Sequence, residues 1–292
     1  MEKGVIVKGI GGFYYIDTES GVYETRARGI FRKRKIQPLV GDIVEMSIID
    51  ENEKTGSLDV ILPRKNMLIR PKVANIDQAV IVFGAKEPDI NLDLLDRFLI
   101  LVEEQHLDIV VVINKIDIDS QKDYEPIAKM YQKAGYQTIC TSAEQHIGIE
   151  ALKEALHGKT SVFAGPSGVG KSTLLNTIFP ELDLQTGAIS EKIKRGKHTT
   201  RHAELIAVME GSYIVDSPGF TSLYLTHIPS GELQNYFREF APFQNECYYN
   251  GCAHINEPDC KVKAEIGTVI DEARYKRYQY IYEERKEEER RR

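Results

Sequence analysis

Gly165-Pro166-Ser167-Gly168-Val169-Gly170-Lys171-Ser172 fits the phosphate-loop pattern G-x-x-x-x-G-K-[ST]. Before it lies Thr160-Ser161-Val162-Phe163-Ala164, short, apolar and β-branched, which predicts a buried strand. After it, residues 172–179 predict a helix. The motif needs that strand–loop–helix context. Its glycines let backbone N–H groups face phosphate oxygens, and the helix N-terminus adds favourable partial charge. In such a loop Lys171 reaches the β- and γ-phosphates and Ser172 holds Mg²⁺, with Gly165 through Thr173 as the nucleotide-contacting run. A glycine-rich turn with a chance lysine is the competing reading, and the flanking elements weigh against it.

Upstream, Ile76–Phe83 and Ile109–Ile113 are continuous apolar runs, with helical spacing from Leu92 to Glu104 between them. Alternating buried strands and helices imply a parallel α/β sheet. The second run ends in Asn114-Lys115-Ile116-Asp117, an N-K-x-D motif. A carboxylate at Asp117 can accept from guanine N1–H and its exocyclic amine; adenine offers no such pair and would leave it unpaired. Asn114 can fix the loop, and the Lys115 stem can cover the base. A helix around 124–134 and a strand at Thr138-Ile139-Cys140 follow, then Ser142-Ala143, whose backbone N–H could approach guanine O6.

After the phosphate loop, a polar segment from Leu184 to Arg201 contains Gly196-Lys197-His198-Thr199-Thr200. A long aperiodic loop here is where a GTPase carries its first switch, and Thr199 or Thr200 would complete the Mg²⁺ shell. A hairpin at 203–216 then ends in Asp216-Ser217-Pro218-Gly219, a D-x-x-G motif. Asp216 would bind Mg²⁺ through water, and the Gly219 N–H would meet the γ-phosphate. Phe220 stands where many GTPases place a water-orienting glutamine, so intrinsic hydrolysis is expected to be slow. His198, moved into place by an ordered first switch, is the candidate catalytic group beside Lys171.

Residues 1–65 show five short alternating runs separated by glycine-rich turns, which predicts a small β-barrel of the OB type. Arg26, Arg28, Arg32, Lys33, Arg34 and Lys35 cluster there around Phe31, an arrangement suited to phosphate contact and base stacking. A solvated charged loop is the plainer alternative. Residues 63–66 read as a linker. From 224 the chain is expected to be mainly helical, over 232–240, 262–270 and a charged, tyrosine-rich terminal helix whose end is solvated and frays. Between the first two, Cys247, Cys252, His254 and Cys260 form a complete Cys₃His set, as a structural zinc site requires. Cys140 reads as a buried small side chain.

No apolar run approaches a membrane span, and no secretory core opens the chain, so a cytoplasmic protein is expected. The formal charge of −6 does not advertise nucleic-acid binding, so any such role falls to the local basic cluster. Nothing suggests a coiled coil, and monomer is the expected state.

The order of motifs is unusual: N-K-x-D and Ser-Ala precede the phosphate loop, and D-x-x-G follows it. In ordinary GTPases N-K-x-D comes last. A circular permutation builds the same sheet and leads the chain from D-x-x-G directly into the C-terminal region. With the flanking barrel and Cys/His cluster, nearly the whole chain resembles the RsgA family of circularly permuted GTPases. Arg201, where that family commonly has a third threonine, leaves the choice between Thr199 and Thr200 open. The resemblance implies an OB-fold over 1–65, a permuted GTPase over 66–223 and a zinc-binding domain over 224–292. It also implies GTP hydrolysis stimulated by the small ribosomal subunit, through 16S rRNA, during late maturation. A GTP-gated RNA-binding module with minor hydrolysis is the alternative from another class. A phosphate-loop ATPase or kinase is a third, which Asn114 and Asp117 oppose.

Overall fold

The computed structural model describes residues 1–69, 72–184, 203–216 and 225–291. The first five strands are β1 (Glu2–Ile10), β2 (Phe13–Thr18), β3 (Gly21–Ala27), β4 (Ile43–Asp50) and β5 (Thr55–Ile61). They close a barrel in the order β1-β2-β3-β5-β4, with β3 and β5 parallel and the other neighbours antiparallel. Alternation puts Ile6, Ile16, Tyr23, Val44, Met46 and Leu58 inside, each fully buried. Closure leaves this small sheet no free edge.

The basic cluster straddles a short helix, α1 (Gly29–Lys33). Its cations are exposed, but Phe31 is buried in the core, so it is not available to stack on a base. Arg26 instead covers the Phe13 ring at 4.4 Å, and Arg28 pairs with Asp59 at 2.7 Å.

Residues 63–66, expected as a linker, are tied down. Arg64 donates from Nε and Nη2 to the two oxygens of buried Asp42 at 2.6 and 2.9 Å, and Asn66 exchanges two bonds with the Ile76 backbone. A hairpin, β6 (Met67–Ile69) and β7 (Lys72–Ala74), leads into the central sheet.

That sheet contains β8 (Gln78–Gly84), β9 (Asp108–Asn114), β10 (Gln137–Cys140), β11 (Thr160–Ala164), β12 (Glu204–Met209) and β13 (Ser212–Asp216). Their order is β10-β9-β8-β11-β13-β12, all parallel except edge strand β12. Period-two alternation feeds two cores. Ala79, Ile81 and Phe83 pack with Ile109 and Val111 on the side of α2 (Leu92–Glu104) and α3 (Tyr124–Lys133). Val80 and Val82 face the other side, with α4 (Ile149–Leu156) and α5 (Lys171–Ile178). The sequence reading did not assign α4. The first of these cores is continuous with the barrel interior, and Lys8–Glu204 (3.0 Å) and Tyr213–Asp17 (2.8 Å) join barrel to sheet.

In the C-terminal region the expected helices over 232–240 and 262–270 are not formed as such. The first is a pair of 3₁₀ segments, Ser230–Tyr236 and Arg238–Phe240, and the second is a single turn, α6 (Lys261–Ala264). Apolar residues at Leu233, Phe237 and Phe240 suit the tighter winding as well as the α-helix, and they pack into the local core. The terminal helix, α7 (Glu272–Arg290), is long, with Arg274 buried in its first turn, and its end is not merely solvated: Arg285 is buried, and Glu289 accepts from Ser230 N and Oγ at 2.6 and 2.7 Å. Ile100 and Leu101 of α2 complete this third core. Among the described residues no helix is long and apolar enough to cross a membrane.

Candidate functional site

Strand register brings the motifs to one edge of the sheet. Gly84 pairs with Asn114 and Cys140 with Ile113, so β8, β9 and β10 end together, and β11 stops short of them, opposite Ile81, where the loop from Gly165 begins. Loops leaving the carboxyl ends of parallel strands form the binding crevice of such sheets. Asp216 ends β13 at the same edge.

The phosphate loop runs from β11 to α5. Gly165 adopts φ +131 and Gly170 φ +90, in the left-handed region. A Cβ at Gly165 would stand 2.0 Å from the Val82 carbonyl oxygen, and one at Gly170 would stand 2.5 Å from Asn114 Nδ2. Both positions therefore demand glycine for space as well as for backbone angle. Lys171 opens α5 and folds back to donate to the carbonyls of Gly165 and Pro166 at 2.9 and 2.6 Å. Burial pushes its pKa down to about 8, so the site desolvates a cation where a phosphate anion would restore its charge. Ser172 is buried beside it.

Asn114 does the structural work of N-K-x-D. It is buried, donates from Nδ2 to the Val169 carbonyl at 2.9 Å, and accepts at Oδ1 from Thr141 Oγ1 at 3.0 Å. One side chain thus joins the ends of β9 and β10 to the phosphate loop. Thr141 is a residue the sequence reading passed over; its position directly before Ser142-Ala143 was the available signal. Ser142 bridges Ile147 and accepts at Oγ from Gln145 N at 3.1 Å, which shapes the turn carrying Ala143.

A cleft of about 480 Å³ opens between these loops, with Asn114, Lys115, Asp117, Ala143, Gly170 and Thr173 on its walls. Among the described residues the Asp117 carboxylate accepts no hydrogen bond, whereas guanine would bring two donors. Lys115 sits at φ +63 and donates from Nζ to the Glu87 carbonyl. Glu87, Glu144 and Gln145 also border the cleft and were not foreseen. Ile116 begins the short turn that carries Asp117. His198, Thr199, Thr200 and Gly219, and the side chain of Asp216, lie outside the described residues.

The RsgA GTPase family model matches residues 61–226, and the RsgA N-terminal domain model matches residues 3–57. The chain belongs to the RsgA GTPase family. A relative from Alkaliphilus metalliredigens, named small ribosomal subunit biogenesis GTPase RsgA, is 50% identical over 280 residues, spanning 95% of this chain and 96% of the relative. One of the same name from Caldanaerobacter subterraneus is 50% identical over 291 residues, 99% and 98% of the two chains. RsgA-like architecture is also seen in solved structures. YjeQ from Thermotoga maritima superposes with a TM-score of 0.83 at 36% identity, covering 97% of this chain and 98% of YjeQ. YloQ, described as a circularly permuted GTPase, gives 0.81 at 38% identity, with 98% and 96% covered. The permuted motif order of this chain thus has a counterpart in a solved structure that it resembles over nearly its whole length.

The second cluster lies beneath α7. Ligand atoms of Cys247, Cys252, His254 and Cys260 all fall within 4.8 Å of one another. Thiolates held about 2.3 Å from a tetrahedral zinc stand about 3.8 Å apart. Cys247 Sγ and Cys260 Sγ are 3.8 Å apart, and His254 Nδ1 is 3.6 and 3.3 Å from them, so the set fits such an ion with Nδ1 as its nitrogen ligand. Burial pushes the Cys252 thiol up to about 12 and lowers His254, so without a cation these groups stay neutral. Tyr275 and Tyr278 of α7 donate to the His254 and Ala253 carbonyls at 2.6 and 2.5 Å, and Glu257 accepts from Ala253 N and Ile255 N at 2.9 Å each. Those bonds hold the knuckle against the helix.

Proposed function

We propose that this protein binds the small ribosomal subunit and hydrolyses GTP in a subunit-stimulated manner during late maturation of that particle. The observation that supports the reading is the interlock of Asn114 with Val169 and Thr141, which ties the N-K-x-D loop and the loop of residues 165–172 together beside one cleft. In this reading Asp117 accepts from the guanine edge, Lys115 covers the base, Ala143 meets O6, and Gly165 to Thr173 take the phosphates. Ser172 and Asp216 would hold Mg²⁺, which would supply charge neutralisation to the nucleotide's phosphates. Thr199 or Thr200 completes that shell, and Gly219 senses the γ-phosphate. Cys247, Cys252, His254 and Cys260 hold one structural zinc ion.

The names of the relatives support the partner, and the exposed cations at Arg26, Arg28, Arg32, Lys33, Arg34 and Lys35 support contact with 16S rRNA through phosphates. The working unit is a cytoplasmic monomer, with an OB-fold over 1–65, a permuted GTPase over 66–223 and a zinc domain over 224–292. His198 is the proposed catalytic group, brought to the γ-phosphate when the subunit orders its loop.

Steady-state GTP hydrolysis, alone and with purified small or large subunits, tests the reading. A rise of about 10³-fold or more specific to small subunits is expected, the range one well-placed charge supplies. A flat rate would leave a GTP-gated RNA-binding module. A His198→Ala protein that kept full stimulated turnover would remove His198 from the mechanism.

A further inference from the structure

One wall of the base cleft comes from a segment that no nucleotide motif names, residues 85–91 between β8 and α2. Its first residue is stitched to the N-K-x-D strand, with Ala85 N donating to the Asn114 carbonyl at 2.7 Å. Lys86 pairs with Asp123 at 3.1 Å, ahead of α3. Glu87 borders the cleft, and its carbonyl accepts from Lys115 Nζ. Pro88 faces the phosphate loop: a Cβ at Gly168 would lie 3.9 Å from Pro88 Cδ. Asn91 closes the segment as the N-cap of α2, accepting from Leu94 N at 2.9 Å.

The Lys115 stem lies in a slot between two glycines. A Cβ on Gly84 would be 3.7 Å from Lys115 Cδ, and one on Gly170 would be 4.0 Å from Cε. The stem thus runs past two glycines that leave it room, and its tip is held by the Glu87 carbonyl.

We propose that the 85–91 segment is a positioning element for base binding. The Glu87 carbonyl holds Lys115 extended along the cleft before the base arrives. Lysine is among the most rotamer-rich side chains, and ordering it at the moment of binding costs affinity. A tether already present in the free protein removes that cost. This rests on the reading of the cleft as the guanine site. The contact is with the face of the base, so it acts on purine rings generally, while Asp117 reads the edge.

The experiment measures Kd for GDP and IDP with the full-length protein carrying Pro88→Gly, Lys115→Met, both changes, or Lys115→Arg. Pro88 is exposed, so its replacement loosens the segment without removing a core side chain. Each of the first two variants is expected to weaken GDP and IDP by the same factor, about three- to tenfold, the cost of ordering one rotamer-rich side chain only on binding. The double variant should be no weaker than the worse single within about twofold, because one tether is lost twice. Lys115→Arg, which keeps a donor, should recover part of the loss. An unchanged GDP affinity in Pro88→Gly, or losses that multiply in the double variant, would overturn the proposal. Asp117→Asn, assayed with GDP and XDP, tests the guanine site separately: if GDP is not disfavoured relative to XDP there, that reading fails whatever the segment does.

Discussion

Arg285 Nε donates to the Ile228 carbonyl oxygen at 3.1 Å across 57 residues of sequence. The same guanidinium donates from Nη2 to the Thr226 carbonyl at 3.1 Å, and it is 2% exposed. Thr226 and Ile228 belong to the stretch that leaves the D-x-x-G motif. His227, between them, pairs with Glu104 of α2 at 2.8 Å. The chain therefore passes from its D-x-x-G motif into a clamp formed by α7 and α2.

Arg285→Met keeps much of the apolar stem but removes the donors to the buried Ile228 carbonyl and the partly buried Thr226 carbonyl. It is expected to destabilise the fold by about 1–3 kcal/mol, chiefly from the desolvation cost at Ile228. Denaturant unfolding of the nucleotide-free protein measures this. GDP affinity, set at the other end of the sheet, should change less than about twofold.

Asp96 and Arg274 weld the GTPase to the C-terminal region. Asp96 on α2 is fully buried, accepts from Tyr131 at 2.8 Å, and pairs with Arg274 and Arg277 of α7, while Arg274 also pairs with Glu239. The Arg97 fork adds two 2.9 Å bonds to Glu284. Removing Asp96 leaves a buried guanidinium undercompensated, so Asp96→Ala should cost about 3–5 kcal/mol. Pairing it with Arg274→Met should recover part of that cost. A double-mutant cycle on unfolding free energy checks the coupling, and strict additivity would contradict it.

Metal removal should act locally. Three tyrosines, Tyr275, Tyr278 and Tyr282, pack in the core beside the Cys₃His cluster. A zinc chelator is expected to abolish their near-ultraviolet dichroism while the barrel and GTPase keep theirs. Elemental analysis of the untreated protein should give one zinc per chain, and Cys260→Ser should lower that ratio. Structural zinc is worth about 10–16 kcal/mol in peptide hosts, more than a small region can replace.

Nucleotide binding is expected to be pH-dependent through Lys171. Its pKa in the free protein is lowered to about 8, below the ordinary lysine value of about 10.4. The unfolded chain therefore holds more protons between these values, and this residue's contribution to stability rises with pH across that window. A bound phosphate favours the charged form, so binding takes up a proton in the same window and affinity falls as pH rises through about 8. Calorimetry with GDP at about pH 8.5, in two buffers of different ionisation enthalpy, should show proton uptake that vanishes near about pH 6.5.

Local chemistry made much of this protein legible in its sequence. The glycine spacing around Lys171, the carboxylate of Asp117, the Cys₃His set and the order of the motifs are properties of short stretches. The continuous apolar runs at β8, β9 and β11 predicted a parallel sheet because strands buried on both faces need no alternation. Charge and aromatic patterns were poorer guides. Phe31 was read among cations but is buried, and Arg285 lies in a terminal charged run that reads as solvated yet is buried, as is Arg274 at the start of the same helix. A guanidinium can be buried only where carboxylates or carbonyls wait for it, and those of Arg274 and Arg285 stand on elements far away in sequence. The tie from Asn114 to Val169 and the tether from Lys115 to Glu87 likewise depend on strand order. The sequence by itself determined the motifs the chain carries, N-K-x-D, the phosphate-loop pattern, D-x-x-G and the Cys₃His set. Tertiary structure alone decided which of them meet, because only burial against distant partners settles where a polar group can rest.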